Sequence, residues 1–143
     1  MTVETAPAEA LWAERVGDQR YDGRNSRGAV VRMGLTPEPG VFAPTELLKI
    51  ALAGCVGLSA DHGLTRRLGQ QVPVTVRVSG RKDAMQQRFP ALHEELYVDL
   101  SALEPVDRER LITVVHRAVD RHCAVGRTLT HATEVALTVV NTA

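Results

Sequence analysis

Two hydrophobic periods alternate along the chain, and the switches between them mark its elements. Leu11, Trp12 and Val16 place a short strand over Ala10 to Gly17, and Ala29-Val30-Val31-Arg32-Met33 forms a second. Between them, Asp22-Gly23-Arg24-Asn25-Ser26-Arg27-Gly28 is turn chemistry, with glycine and asparagine available for positive φ. Pro37, Pro39 and Gly40 then forbid regular structure up to Pro44. Pro44 suits the first turn of a helix, where a missing N–H costs nothing, and Glu46 faces the positive end of the dipole. That helix is expected to run to about Leu68, with Gly69 as its stop. Its middle is apolar on every side, which predicts a central buried helix; Ala51, Gly54 and Cys55 share a small-residue face that lets another backbone come close.

Period two returns at Val72, Val74, Val76 and Val78, and again at Leu96, Val98 and Leu100, each a half-buried strand. The polar stretch from Gly80 to Pro90 joins them. Pro105 opens a second helix with Ile112, Val115, Ala118, Val119 and His122 on its apolar face, ending near Cys123 with Gly126 as the breaker. Thr133 to Val140 is β-branched, with Val135, Leu137 and Val139 on one face, and reads as a closing strand. The predicted order is β-β-α-β-β-α-β, an α+β arrangement of antiparallel hairpins separated by two helices. No repeat or long linker interrupts it, so one domain is expected over 1–143, with Met1 to Ala8 loose.

Composition narrows the function. At 44% hydrophobic and 24% charged the chain is globular rather than disordered. With 17 Lys+Arg against 17 Asp+Glu there is no basic excess to displace counterions, which argues against nucleic acid as a partner. All but Lys49 and Lys82 of those cations are arginines, the planar and permanently charged choice for interfaces and anion sites. Aromatics at 3% are too few for a stacking platform. The first residues show no positive n-region followed by an apolar run, and Lys49, Asp61 and His62 interrupt the longest candidate membrane span. A cytoplasmic protein without a membrane segment is expected, with no bound cofactor.

Only Cys55 and Cys123 remain as soft nucleophiles. Neither lies in a CxxC pair, and His122 and Cys123, being adjacent, point about 100° apart on a helix. A metal site drawing on His62, His116 or His131 therefore has no ligand spacing behind it. A redox pair needs a thiol of lowered pKa, with a cation such as arginine beside it, and a second thiol to condense with the sulfenic acid. The other reading is that each cysteine is a small core hydrophobe. His62, His93, His116 and His131 are assigned to surface or core.

The segment Gly40-Val41-Phe42-Ala43-Pro44-Thr45-Glu46-Leu47-Leu48-Lys49-Ile50-Ala51-Leu52-Ala53-Gly54-Cys55 resembles the first motif of the OsmC/Ohr family. His122-Cys123-Ala124-Val125-Gly126-Arg127-Thr128-Leu129 resembles the second, and the predicted element order matches from about residue 10 to 141. The resemblance implies an intertwined homodimer with two central helices packed against β-sheets. It also implies thiol-dependent reduction of hydroperoxides, organic ones preferred, with Cys55 peroxidatic and Cys123 resolving. A dithiol, a lipoyl-type protein or low-molecular-weight thiols would supply the electrons.

Family members also pair an arginine with a glutamate beside the thiolate. Gly23-Arg24-Asn25 resembles the segment carrying that arginine, which makes Arg24 the assignment and Arg27 its competitor. The glutamate that follows the motif proline in the organic-hydroperoxide branch is replaced here by Thr45. Glu46 stands one residue on, either as the second acid of a Glu-Glu variant or as a stabiliser of the helix N-terminus. Ala124 stands where proline is common. Phe42 lines an apolar substrate pocket or caps the core; Arg127 binds a carboxylate or phosphate, or forms an interface salt bridge. A rival function is a non-catalytic protein that keeps the fold and holds a small apolar ligand in the interfacial pocket. The sequence leaves open which hydroperoxide or ligand, and which reductant, is used.

Overall fold

A computed structural model describes residues 10–142, so the expectation for residues 1–8 lies outside the described part. The chain divides into two compact units, residues 1–48 and 49–143. The first holds strands β1 (Leu11–Gly17), β2 (Arg20–Asn25) and β3 (Val30–Gly34), an antiparallel meander in chain order. Helix α1 (Pro44–Leu68) follows, then strands β4 (Val74–Ser79) and β5 (His93–Val98), helix α2 (Pro105–His122) and helix α3 (Ala124–Thr130). The architecture is α+β, as expected, with antiparallel sheets and three helices.

Strand β2 replaces the expected turn at Asp22 to Gly28. Its registers, Asp22 opposite Glu14 and Gly23 opposite Val31, show Gly23 in mid-strand. Glycine is needed there for space: a Cβ would lie 2.9 Å from Val31 Cγ1. The turns fall on either side. Gln19 takes φ 53° between β1 and β2, and Gly28 takes φ 96° between β2 and β3. Asn25 Oδ1 closes the second turn by accepting from the amides of Arg27 (2.9 Å) and Ala29 (3.0 Å).

Helix α1 matches its predicted bounds, Pro44 to Leu68, and Gly69 at φ 97° ends it. Within the second unit, Leu52, Val56, Ala60 and Leu64 form its buried stripe. Val74, Val76, Val78, Leu96 and Val98, on the inward faces of β4 and β5, pack against that stripe together with Leu111, Val115 and Val119 of α2. The expectation that α1 is buried all round does not hold within one chain: Ile50 is 48% and Leu58 81% exposed. The close approach is also not at Gly54, which has open space, but at Gly63, where a Cβ would meet Val114 of α2 at 3.0 Å. Helix α1 is long and apolar enough to cross a membrane, and four of its residues, Leu52, Val56, Ala60 and Leu64, are buried in the core of the second unit.

Two corrections fall at the C-terminus. Gly126 does not break the helical region but sits inside α3, which runs on to Thr130. Residues 133–140 are not a strand: they pair with no strand among the described residues, and Val135, Leu137 and Val139 stand 87–93% exposed. Alternating β-branched residues favour an extended chain, but a strand also needs an edge to pair with.

Leu64 and Leu111 are each only 1% exposed and share one cluster. Truncating Leu64 to Ala is expected to cost about 2–5 kcal/mol of unfolding free energy. Urea denaturation followed by circular dichroism measures this, and Met85→Ala, at a residue 94% exposed between β4 and β5, should cost under about 1 kcal/mol.

Candidate functional site

Cys55 lies mid-way along α1, half-buried, and Cys123 is buried at the corner between α2 and α3. The corner is a double cap. The Cys123 amide donates to Val119 O (3.0 Å) and closes α2, while its backbone turns extended (φ −76°, ψ 94°) to start α3. Its sulfur accepts from the Gly126 amide at 3.4 Å. Gly126 keeps that approach open, since a Cβ there would sit 3.2 Å from the Cys123 sulfur and 3.6 Å from Leu52. Leu52, Val56 and Cys123 form one buried cluster with Cys55, Val119 and Val125 packed on it.

The two thiols are joined by a hydrogen bond, and their environments push them apart electrically. Cys55 is lowered from the ordinary thiol range, chiefly by the Val125 amide; burial opposes this, and Cys123, the Ala124 amide and Ser59 add to it. Cys123 is raised, chiefly by burial, and further by its bond to Cys55, the charge on Cys55 and the charge of Glu94. The Gly126 amide opposes that rise. When one of the two ionises, the charge therefore falls on Cys55 before Cys123, the order expected of a nucleophile and its neutral partner. Ser59, one turn on from Cys55, has its Oγ 2.7 Å from the Cys55 carbonyl and also reaches the sulfur; with a single proton it serves one of them at a time.

The other sequence-named residues have identifiable partners. Arg24 lies in β2, not in a turn, and its ion pairs run to Glu14 (2.6 Å) and Asp22 (3.5 Å) of the same sheet. Its Nε is buried and not aligned on Glu14, so that contact is one of charge rather than a directed hydrogen bond. Glu46 accepts from the Ala43 amide at 2.8 Å, which satisfies a free donor at the start of α1. Phe42 is 40% exposed, and its backbone pins the loop to β3 through Arg32 O and the Gly34 amide. Arg27 is exposed in the turn after β2. Arg127 donates to the Asp120 carbonyl at 3.1 Å and braces the α2–α3 corner.

A cavity of about 330 Å³ adjoins the cysteine cluster through Val56 and Val119, with Leu96, Leu111 and Val115 among its apolar walls and Glu94 at its edge. Among the described residues no group of three or more His, Cys, Asp or Glu side chains gathers into a metal site. Sequence reasoning did not find Ser59, Glu94 or the amides of Ala124, Val125 and Gly126. Ser59 carries a weak signal, four residues after Cys55 on one helix face. Backbone donors carry none.

Residues 37–138 match the family described as OsmC-like protein. The chain belongs to the OsmC-like family. An uncharacterized protein of Mycobacterium tuberculosis is 50% identical over 131 residues, which are 92% of this chain and 96% of that protein. The OsmC-like protein of Mycoplasma pneumoniae shares the fold at TM-score 0.61 and 15% identity, over 89% of this chain and 90% of that one. The organic hydroperoxide resistance protein OhrB of Bacillus subtilis does so at TM-score 0.56 and 18% identity, over 87% and 92%.

The asymmetry has a measurable consequence. Cys55 should react with iodoacetamide as a thiolate, with its half-maximal rate below the ordinary thiol value of about pH 8.5. Cys123 should reach half-maximal rate above that value and more slowly, as its burial requires. Peptide mass mapping across pH 5 to 10 (roughly bracketing the thiol range) checks the order; faster labelling of Cys123 would contradict it.

Proposed function

We propose that the protein is a thiol-dependent peroxidase that reduces hydroperoxides, organic ones in particular. The observation that carries this reading is the hydrogen-bonded cysteine pair, with Cys55 lowered and Cys123 raised. The Cys55 thiolate attacks the outer oxygen of ROOH. The O–O bond breaks, the departing alkoxide takes a proton to become ROH, and Cys55 is left as a sulfenic acid. The Cys123 sulfur then attacks the Cys55 sulfur; its proton leaves with the hydroxyl as water, and a disulfide forms. A dithiol, of lipoyl type or another small thiol reductant, returns both cysteines to thiols and is itself oxidised to a disulfide.

Amides of Val125 and Ala124 stabilise the thiolate before attack and cost no reorganisation. The apolar cavity beside Val56 and Val119 suits the organic part of the peroxide. In this reading Arg24 and Glu46 are secondary to the cysteines, since Glu14, Asp22 and the Ala43 amide already engage them. Phe42, Arg27 and Arg127 stand as substrate contacts to be tested after them. The same cavity also favours a second reading, a non-catalytic protein that holds a small apolar ligand.

Stopped-flow reaction with cumene hydroperoxide separates the two. Cys55→Ser should lower the rate by at least about a hundredfold. Cys123→Ser should give one turnover and a trapped sulfenic acid at Cys55, with no Cys55–Cys123 disulfide. Two free thiols after excess peroxide would overturn the peroxidase reading and leave the ligand-binding one.

The reading also includes a cytoplasmic homodimer. Its support is the exposed apolar face of α1 (Ile50, Leu58) and the exposed alternation of Val135, Leu137 and Val139. Light scattering on the eluted protein should return about twice the 15.6 kDa chain mass. Leu137→Asp with Val139→Asp should shift it to one chain mass.

A further inference from the structure

Between α1 and α2, on the side of α1 away from the β4–β5 sheet residues that pack its buried stripe, lies a second cavity of about 340 Å³. Its chemistry differs from that of the apolar one. Ser59, His62, Gly63, Arg66 and Arg67 of α1 line it, spaced so that they recur on one helix face. Val114, Ala118 and His122 of α2 complete the opposite wall. Two arginines and two histidines, all exposed, thus line one hollow, and no acidic residue is among its lining residues.

Neighbouring acids do not compensate this charge. Among the described residues, neither Arg66 nor Arg67 forms an ion pair. Asp61, next in sequence to His62, lines a different cavity with Gly54 and Gly57 on another face of α1. Arg66 and Arg67, both exposed and permanently charged, have no acid in this hollow to answer them. Guanidinium groups offer paired, fixed donors that match the oxygens of phosphate or carboxylate. Gly63 opens the floor, where its missing side chain lets Val114 come to 3.0 Å from the Cβ position.

The geometry points to a binding site for a phosphate group between α1 and α2, held by Arg66, Arg67, His62 and His122. A doubly charged phosphate answers two guanidinium groups better than a singly charged carboxylate, and the two imidazoles offer it further donors. The volume sits at the lower end of small-ligand cavities, about 300–1,000 Å³, so a phosphate monoester with a small organic part fits. The site is separate from the sulfur chemistry: it requires no reactive Cys55 and stands whether or not the protein reduces peroxides.

Calorimetric titration of the full chain at low salt tests this with inorganic phosphate, glycerol phosphate and acetate. Saturable binding of both phosphates, with acetate weaker by about tenfold or more, is expected. Binding of glycerol phosphate at least as tight as that of inorganic phosphate marks a monoester site; tighter inorganic phosphate marks a free-anion site. Arg66→Gln with Arg67→Gln should weaken phosphate by about tenfold or more, while Arg32→Gln with Arg81→Gln, which removes equal charge elsewhere, should not. In the unaltered protein, phosphate should shift the ring-proton NMR signals of His62 and His122 and leave those of His93 unmoved. No saturable heat, equal loss in both double variants, or unmoved His62 and His122 signals would overturn the proposal. So would a smaller assembly in the Arg66/Arg67 variant without phosphate binding in the parent, which makes the hollow a contact between copies.

Discussion

Backbone amides meeting two sulfur atoms at one corner of the chain are the interaction on which the candidate site depends. At Cys123 the chain leaves α2 and enters α3 within one residue, which aims the amides of Ala124, Val125 and Gly126 at the cysteine pair. A buried thiolate without donors is costly and would stay protonated. Here Val125 and Ala124 make the charge tolerable on Cys55, and desolvation keeps the proton on Cys123. The lowering of Cys55 draws on amides, Cys123 and Ser59 and on no charged side chain as activator.

That corner is fixed by ordinary core packing. Leu52 and Val56 on α1, Val119 on α2 and Val125 on α3 close around Cys123, with Val76, Val78 and Leu96 of the sheet beneath. The second cluster, Ala60, Leu64 and Leu111, holds the other end of the same two helices. Sulfur chemistry and stability thus draw on the same stripe of α1, whose opposite side is left with Ile50 and Leu58 in solvent. A helix read as apolar all round carries two demands, and a single chain meets one of them. The exposed alternation at 133–140 is a second unmet demand of the same kind.

Legibility varied with the range of the forces involved. Helix α1 was readable to the residue because Pro44, the apolar run and Gly69 are local signals that agree. Strand β2 was not, because Asp22-Gly23-Arg24-Asn25 has turn composition and is extended for a cross-strand reason: Val31 occupies the place of a Gly23 side chain. Gly126 looked like a breaker and is instead a gap for the Cys123 sulfur. Arg24 was assigned to the thiolate through a motif resemblance, and the carboxylates it meets in the structure, Glu14 and Asp22, follow from the sheet register.

By itself, the sequence determined the α+β class, the bounds of α1, the resemblance to the family and the identity of the two thiols. Periodicity, proline and glycine act over a few residues and leave their mark on the chain directly. Only the tertiary structure decided which thiol carries the charge, because that depends on backbone donors and burial that no residue name records. It also decided that His62, Arg66, Arg67 and His122 share one hollow, since two helices far apart in sequence must pack before their basic faces meet.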